Sequence, residues 1–305
     1  MSVRVVSLLP SATEIVAALG VQPVATSHEC DFPPSVGEVP SVVDSRIDAS
    51  ATSAGIDEQV RESVADGGVY RIDHDALAAA DPDIVIAQGM CDVCAVDTAI
   101  VADAIETLEG DCQLVTTDPH SVADILTDIE TIGDAIGRPN RAKELVSALR
   151  SRIDRVASVA ADSPIRPEVA VLDWLEPPMV AGHWVPELID LAGGAYGLAN
   201  PGDASTPREW NEIREYDPDI FIAAPCGFEL KQTAENRTDL TNRPGWSNLR
   251  AVRMNRVYAM DGHHLMNRPG PRIVESLETL AALLQPEHFD VPEPWMARSF
   301  SSLPK

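Results

Sequence analysis

The chain has 305 residues, 45% of them hydrophobic and only 5% aromatic, so two domains of ordinary size fit, with cores built mainly from Ala, Val, Ile and Leu. Its 48 acidic residues outweigh 23 basic ones, a formal net charge of −25, which argues against nucleic acid as a partner because phosphate backbones are repelled. No apolar run approaches the length of a membrane span, so no membrane insertion is expected, and the hydrophobic content argues against a disordered chain.

The lysines are Lys143, Lys231 and Lys305 alone. A strong carboxylate excess of this kind suits a halophilic protein kept soluble in multimolar salt, where counterions screen self-repulsion. An acidic protein that trades Lys for Arg for genomic reasons is the rival explanation.

The first predicted element is a strand over 3–8. It lacks the basic segment, longer apolar stretch and cleavage site of a secretory signal, and no Cys follows it to carry a lipid. The expectation is a cytoplasmic protein, whose five cysteines serve as ligands, reactive groups or core fillers rather than disulfides. Ser11 with Glu14 three residues on has capping-box spacing for a helix over 13–19 that stops at Gly20. A short strand over 23–26 follows. A helix over 75–80 then meets Asp81-Pro82-Asp83, where the proline ring ends it, and the β-branched run 84–87 reads as a buried parallel strand.

Leu145, Leu149, Ile153 and Val156 recur at helical spacing, with charged residues on the other faces, so 140–159 reads as one long amphipathic helix. The composition of 162–167 marks a linker. A second strand–helix series follows: a strand over 169–172, then Pro186 at the first turn of a helix over 187–192 that stops at Gly193-Gly194. A helix over 209–216 leads to Asp217-Pro218-Asp219 and a strand over 220–223, echoing the first half, and a last strand covers 256–260. The fold class is therefore α/β: two Rossmann-like lobes with mainly parallel sheets joined by one long backbone helix. The expected division is an N-terminal lobe 1–138, a connecting helix 139–162, a C-terminal lobe 163–290 and a tail 291–305.

Several stretches carry a family resemblance: Val5-Val6-Ser7-Leu8-Leu9-Pro10-Ser11-Ala12-Thr13-Glu14, Cys30-Asp31-Phe32-Pro33-Pro34, the two Asp-Pro-Asp strands, Ala192-Gly193-Gly194 and Arg268-Pro269-Gly270-Pro271-Arg272. In these the chain resembles the helical-backbone (class III) solute-binding proteins of cobalamin, haem and iron-siderophore ABC importers. It is most similar to the cobalamin-type receptors and to a leaderless branch with extra cysteines. The resemblance implies a ligand held between two lobes. It also implies that one acidic residue per lobe meets a permease, with Asp97 and Glu212 in loosely matching regions, and that Arg268 meets a ligand carboxylate or amide.

Ligands of open parallel sheets bind beyond the carboxyl ends of the strands. The residues following strands here are His28 and Cys30, Cys91 and Cys94, Asp173 and Trp174, Cys226, and His263 and His264. Cys91-Asp92-Val93-Cys94 has the spacing at which two thiolates reach one soft metal, or form a redox pair. With Cys30 and Cys226 the set fits zinc or an iron–sulfur cluster; His28 or His264 can replace a thiolate, and His264 can ligate a corrinoid cobalt. Packing alone is the bland alternative, and is the reading of Cys112. Trp174, Trp184, Trp210, Met179, Leu265 and Met266 are candidates for an apolar wall around a large planar ring.

Catalysis has little support. Ser11 lacks a Gly-x-Ser-x-Gly context, and phosphate-loop and dinucleotide fingerprints are missing. A nucleophilic Cys226 has only a distant histidine to work with. The leading expectation is a cytoplasmic protein that binds cobalamin or another corrinoid-type metal complex. The alternatives are a metal or iron–sulfur protein using Cys30, Cys91, Cys94 and Cys226, and the receptor of an ABC importer whose permease partner is doubtful.

Overall fold

The computed structural model describes residues 3–65, 68–89, 96 and 98–303. The chain divides into two compact units: Met1–Ala51 with Gly55–Pro119 and Ala123–Ala148, and Thr52–Ala54 with His120–Val122 and Leu149–Lys305.

The N-terminal unit contains β1 (Val5–Ser7), β2 (Ala25–Thr26), β3 (Val43–Ser45), β4 (Tyr70–Ile72), β5 (Ile84–Gln88) and β6 (Gln113–Thr117). Four of these form a wholly parallel sheet in the order β2-β1-β5-β6, while β3 and β4 make an antiparallel ribbon. Every residue of β1 and β5 is buried, which is why these strands read as continuous apolar runs instead of alternating ones. The helices of the first half are α1 (Pro10–Ala18), α2 (Ser53–Ala65), α3 (His74–Ala80), α4 (Thr98–Glu106) and α5 (Val122–Ala135). Helix α1 begins earlier than its Ser11–Glu14 spacing implies. Leu9 is the N-cap and Pro10 occupies the first turn, where a missing N–H costs nothing. Ser11 and Glu14 therefore lie inside the helix, buried. Gly20 adopts φ +80 just beyond its end, as expected.

Helix α6 (Pro139–Ala161) carries the chain from one unit into the other. Its apolar stripe is Ala142, Val146, Leu149, Ile153, Val156 and Ala160, with Leu145 only half-buried. The stripe thus begins one turn earlier than the large aliphatic residues alone indicate.

In the C-terminal unit the order is β12-β11-β10-β7-β8-β9, from β7 (Val169–Trp174), β8 (Met179–Val180), β9 (Thr206–Pro207), β10 (Ile220–Ala223), β11 (Val257–Met260) and β12 (Ala297–Ser299). Strands β7, β10 and β11 are parallel; β8, β9 and β12 are antiparallel additions at the two flanks. Residues 297–299, within the stretch read as a tail, are thus an edge strand. The helices are α7 (Val185–Leu191), α8 (Trp210–Tyr216), α9 (Leu230–Glu235), α10 (Thr238–Thr241), α11 (Arg250–Arg253) and α12 (Ile273–Leu284). Helix α12 is buried on nearly all sides, as its all-round apolar sequence requires; each fully buried Leu there contributes about 2 kcal/mol. Arg152 on α6 holds Glu278 on α12 in a two-pronged pair, Nε–Oε1 3.0 Å and Nη2–Oε2 2.7 Å.

The two Asp-Pro-Asp sequences perform the same local task. Asp81 and Asp217 end α3 and α8 in the left-handed conformation, φ 44 and 45, which aspartate tolerates better than most residues. The carboxylates of Asp83 and Asp219 then accept the backbone N–H of Arg4 (2.7 Å) and of Glu168 (3.0 Å). Those residues lead into β1 and β7, the parallel neighbours of β5 and β10. One tripeptide stops a helix and sets the register of the strand pair that follows. Among the described residues, no helix is long and apolar enough to cross a membrane.

Candidate functional site

Strands β7, β10 and β11 of the C-terminal unit end together, and the loops that follow are tied at their carboxyl edge. The N–H of Ala224 donates to Leu172 O and that of Cys226 to Asp173 O, both at 2.9 Å, and Gly262 N donates to Phe228 O at 3.0 Å. Gly262 permits the last approach: a Cβ there would stand 2.0 Å from Pro225 O. Asn267 Nδ2 donates to Ala224 O and to Gly262 O, each at 3.1 Å, fastening the end of β10 to the π-turn Gly262–Met266. Such turns are rare and cluster at functional sites.

The π-turn presents His263 and His264. Asp261, buried at the end of β11, accepts His264 N at Oδ1 and faces His264 Nδ1 with Oδ2 at 3.2 Å. A carboxylate oxygen accepts, so this contact calls for the imidazole proton on Nδ1 and leaves Nε2 as the ring's other nitrogen. A carboxylate that fixes the tautomer and raises basicity is the usual support of a metal-binding histidine. His263 is held differently. Arg268 Nη2 lies 3.0 Å from His263 Nε2, where the guanidinium can only donate. The two imidazoles stand perpendicular, 4.4 Å between centroids. Asp261 escaped the sequence reading, although Asp261-Gly262-His263-His264 at a strand end was the signal for it.

The other expected residues separate by burial. Trp174 is half-buried at the end of β7; its Nε1 donates to Glu176 O at 3.1 Å and its ring meets Phe228 edge-on at 5.1 Å. Trp184 and Met266 are 4% and 0% exposed, and Trp184 Nε1 donates to Met266 O at 3.1 Å. They are core residues that brace the π-turn, not a wall open to ligand. Leu265 is buried as well, and Trp210 stacks on Trp246 at 6.1 Å in the interior. Arg268, expected at a ligand carboxylate or amide, is 4% exposed and engaged with His263.

In the N-terminal unit, Cys30 is buried. Thr13 divides its one hydroxyl proton between Ser7 Oγ at 2.8 Å and Cys30 Sγ at 3.0 Å. His28 instead places Nε2 3.3 Å from Glu29 and its ring against Tyr70. Cys112 precedes β6 at the amino edge of its sheet; burial, then the nearby charge of Asp83, pushes its thiol up from the ordinary value, which suits packing. Cys226 is half-buried in the C-terminal unit. Cys91, Cys94 and Asp97 lie outside the described residues. Cys30 belongs to the N-terminal unit and Cys226 to the C-terminal unit. Glu212, expected at a permease, closes a capping box on α8 by accepting Glu209 N at 3.1 Å.

Two α/β units carried by one helix, with parallel strand ends bearing the candidate ligands, define the helical-backbone class of solute-binding proteins. The chain belongs to the periplasmic binding protein family, whose model matches residues 5–263. It is 25% identical over 296 residues, 94% of this chain and 81% of the relative, to the uncharacterized ABC transporter substrate-binding lipoprotein YvrC of Bacillus subtilis (strain 168). A periplasmic heme binding protein from Pseudomonas aeruginosa shares the fold with TM-score 0.73 and 21% identity, over 97% of each chain. The periplasmic vitamin B12 binding protein BtuF of Vibrio cholerae does so with TM-score 0.66 and 20% identity, over 92% of this chain and 96% of that one.

These relationships correct two expectations. The cytoplasmic location is overturned, because the family and its relatives are periplasmic proteins or lipoproteins. The doubt about a permease falls with it, since the Bacillus relative is a component of an ABC transporter.

Proposed function

We propose that this chain is the substrate-binding component of an ABC importer, working outside the cytoplasmic membrane and delivering a corrinoid or another tetrapyrrole–metal complex to its permease. The observation that carries the reading is the Asp261–His264 pair. An imidazole whose Nδ1–H is held by a buried carboxylate offers Nε2 as a borderline-soft nitrogen donor, the type that suits cobalt and iron. Membership of the periplasmic binding protein family and the fold shared with haem and vitamin B12 receptors support the same class of cargo. In this reading His264 meets the metal, Trp174 borders the ligand, and Arg268 positions His263. The net charge of −25 fits a protein that works in concentrated salt, where its self-repulsion is screened.

The test is to incubate the purified protein separately with hydroxocobalamin and with haemin, desalt it, and record the visible spectrum. The wild type should retain one of the two with an axial-ligand band shift. His264→Ala should keep its melting temperature and lose that shift. A wild type that retains neither chromophore refutes the reading.

A further inference from the structure

We propose that Trp295, carried by the segment after α12, forms one wall of the His264 site and selects cargo with a flat π face; the inference rests on the tetrapyrrole reading above and narrows its substrate class.

The placement follows from strand pairing. Strand β12 lies antiparallel to β11 with Met260 opposite Ala297, Ala259 opposite Arg298 and Tyr258 opposite Ser299. The ladder continues past the strand ends, because Asp261 N donates to Met296 O at 2.8 Å. That register brings Trp295 to the level of Gly262, the first residue of the π-turn. Its ring meets His264 edge-on, 6.2 Å between centroids. The Arg272 guanidinium stands 5.6 Å from the indole centroid, a cation–π contact, and Arg272 is itself buried with Nε 3.3 Å from Glu275. The ring is thus oriented by a backbone ladder, a guanidinium and an imidazole, yet Trp295 as a residue remains 44% exposed.

A large aromatic surface fixed in place and left open beside a metal-donor nitrogen is suited to stacking. The indole plane stands at 88° to the His264 imidazole. A planar macrocycle bound through Nε2 also stands perpendicular to that imidazole, an orientation compatible with contact between its face and the indole. A ferric chelate wrapped in a flexible hydroxamate chain has no such face to offer. Trp295 therefore discriminates between cargo classes that share only a metal.

The experiment measures the affinities of wild type, Trp295→Phe, Trp295→Leu and Trp295→Ala for haemin and hydroxocobalamin by absorbance titration, with a ferric trihydroxamate as the non-planar comparison and melting temperatures as a check on folding. Trp295→Phe should bind within about threefold of wild type. Trp295→Leu and Trp295→Ala should both weaken about tenfold, equivalent to about 1.4 kcal/mol. The leucine variant keeps apolar bulk without a π face, so wild-type affinity in it overturns the stacking role even if the alanine variant folds poorly. Tetrapyrrole binding that is unchanged in every variant refutes this inference and leaves the importer reading standing. A wild type that binds neither tetrapyrrole, or only the trihydroxamate, overturns both.

Discussion

Replacing Gly262 by alanine tests the geometry on which the site depends. The added Cβ would lie 2.0 Å from Pro225 O, 2.7 Å from Pro225 C and 2.8 Å from Ala224 O. All three atoms are backbone, so no side-chain rotation relieves the overlap. Carbon and carbonyl oxygen normally stay about 3.3 Å apart, so the loops after β10 and β11 must part by about 1.3 Å. That movement stretches the two bonds that bridge the loops, Gly262 N to Phe228 O and Asn267 Nδ2 to Ala224 O. At about 1 kcal/mol each, with about 1–2 kcal/mol of residual strain, the cost is about 3–4 kcal/mol.

Gly202→Ala supplies the comparison. Gly202 has φ +84 and open space around it, so its substitution costs about 1 kcal/mol from backbone conformation alone. At about 2–4 °C per kcal/mol for a unit of this size, calorimetry should find Gly262→Ala melting about 10 °C below wild type and Gly202→Ala only about 3 °C below. His264 sits on the displaced turn, so tetrapyrrole affinity should fall in the first variant and not in the second. Equal melting of the two variants would show that the strand-end loops do not approach as described, and the argument for a preorganised His264 would fail with them.

Two further predictions concern the N-terminal unit and the repeated tripeptide. Burial first, then the charges of Asp124 and Asp118, push the Asp128 carboxyl from 3.8 up to about 7, and its Oδ2 is buried without a hydrogen-bond partner. The folded state therefore holds a proton that the unfolded chain releases. This contribution to stability is complete below about pH 4 and is lost as pH rises through about 7. Asp128→Asn should match wild type in urea unfolding at pH 4 and exceed it by about 1–2 kcal/mol at pH 8, allowing for partial solvent screening; equal stability at pH 8 would contradict the burial argument. For the repeat, Asp83→Ala and Asp219→Ala should each cost about 1–2 kcal/mol by freeing the N–H of Arg4 or Glu168. Asp219→Ala should cost more, because it also loses Arg250 Nη1 at 2.8 Å. The residues share no partner, so urea midpoints should show the double variant to be additive, and a neutral Asp83→Ala would deny the tripeptide its structural role.

The parts of the fold that were legible in the sequence are those whose cause is local. Pro82 and Pro218 stop a helix by their own chemistry, and the aliphatic runs 84–87 and 220–223 can only be buried strands. The amphipathic pattern of α6 survives with its stripe starting at Ala142, because small residues bury silently and only large ones announce a face. What was illegible is decided between distant segments. Strand β12 follows a stretch with Pro286, Pro292 and Pro294 that carries no strand signal; it forms because β11 offers an unpaired edge, a tertiary effect that overrides local preference. The same holds at the site. His263 and His264 are visible as histidines after a strand, but Asp261 is one acid among 48, and only the π-turn shows its carboxylate against His264 Nδ1. Proximity to a strand end could not sort Trp174 from Trp184, since what packs over each ring decides burial: Trp184 donates to Met266 O in the interior, while Trp174 stays half-buried beside Phe228. What the first residues lack carries no compartment signal, because no interaction connects an absence to a place. Position along the chain therefore nominates residues for a site, while hydrogen bonds to buried groups decide their chemistry, which is why His264 with its carboxylate is a stronger ligand candidate than the buried Cys30.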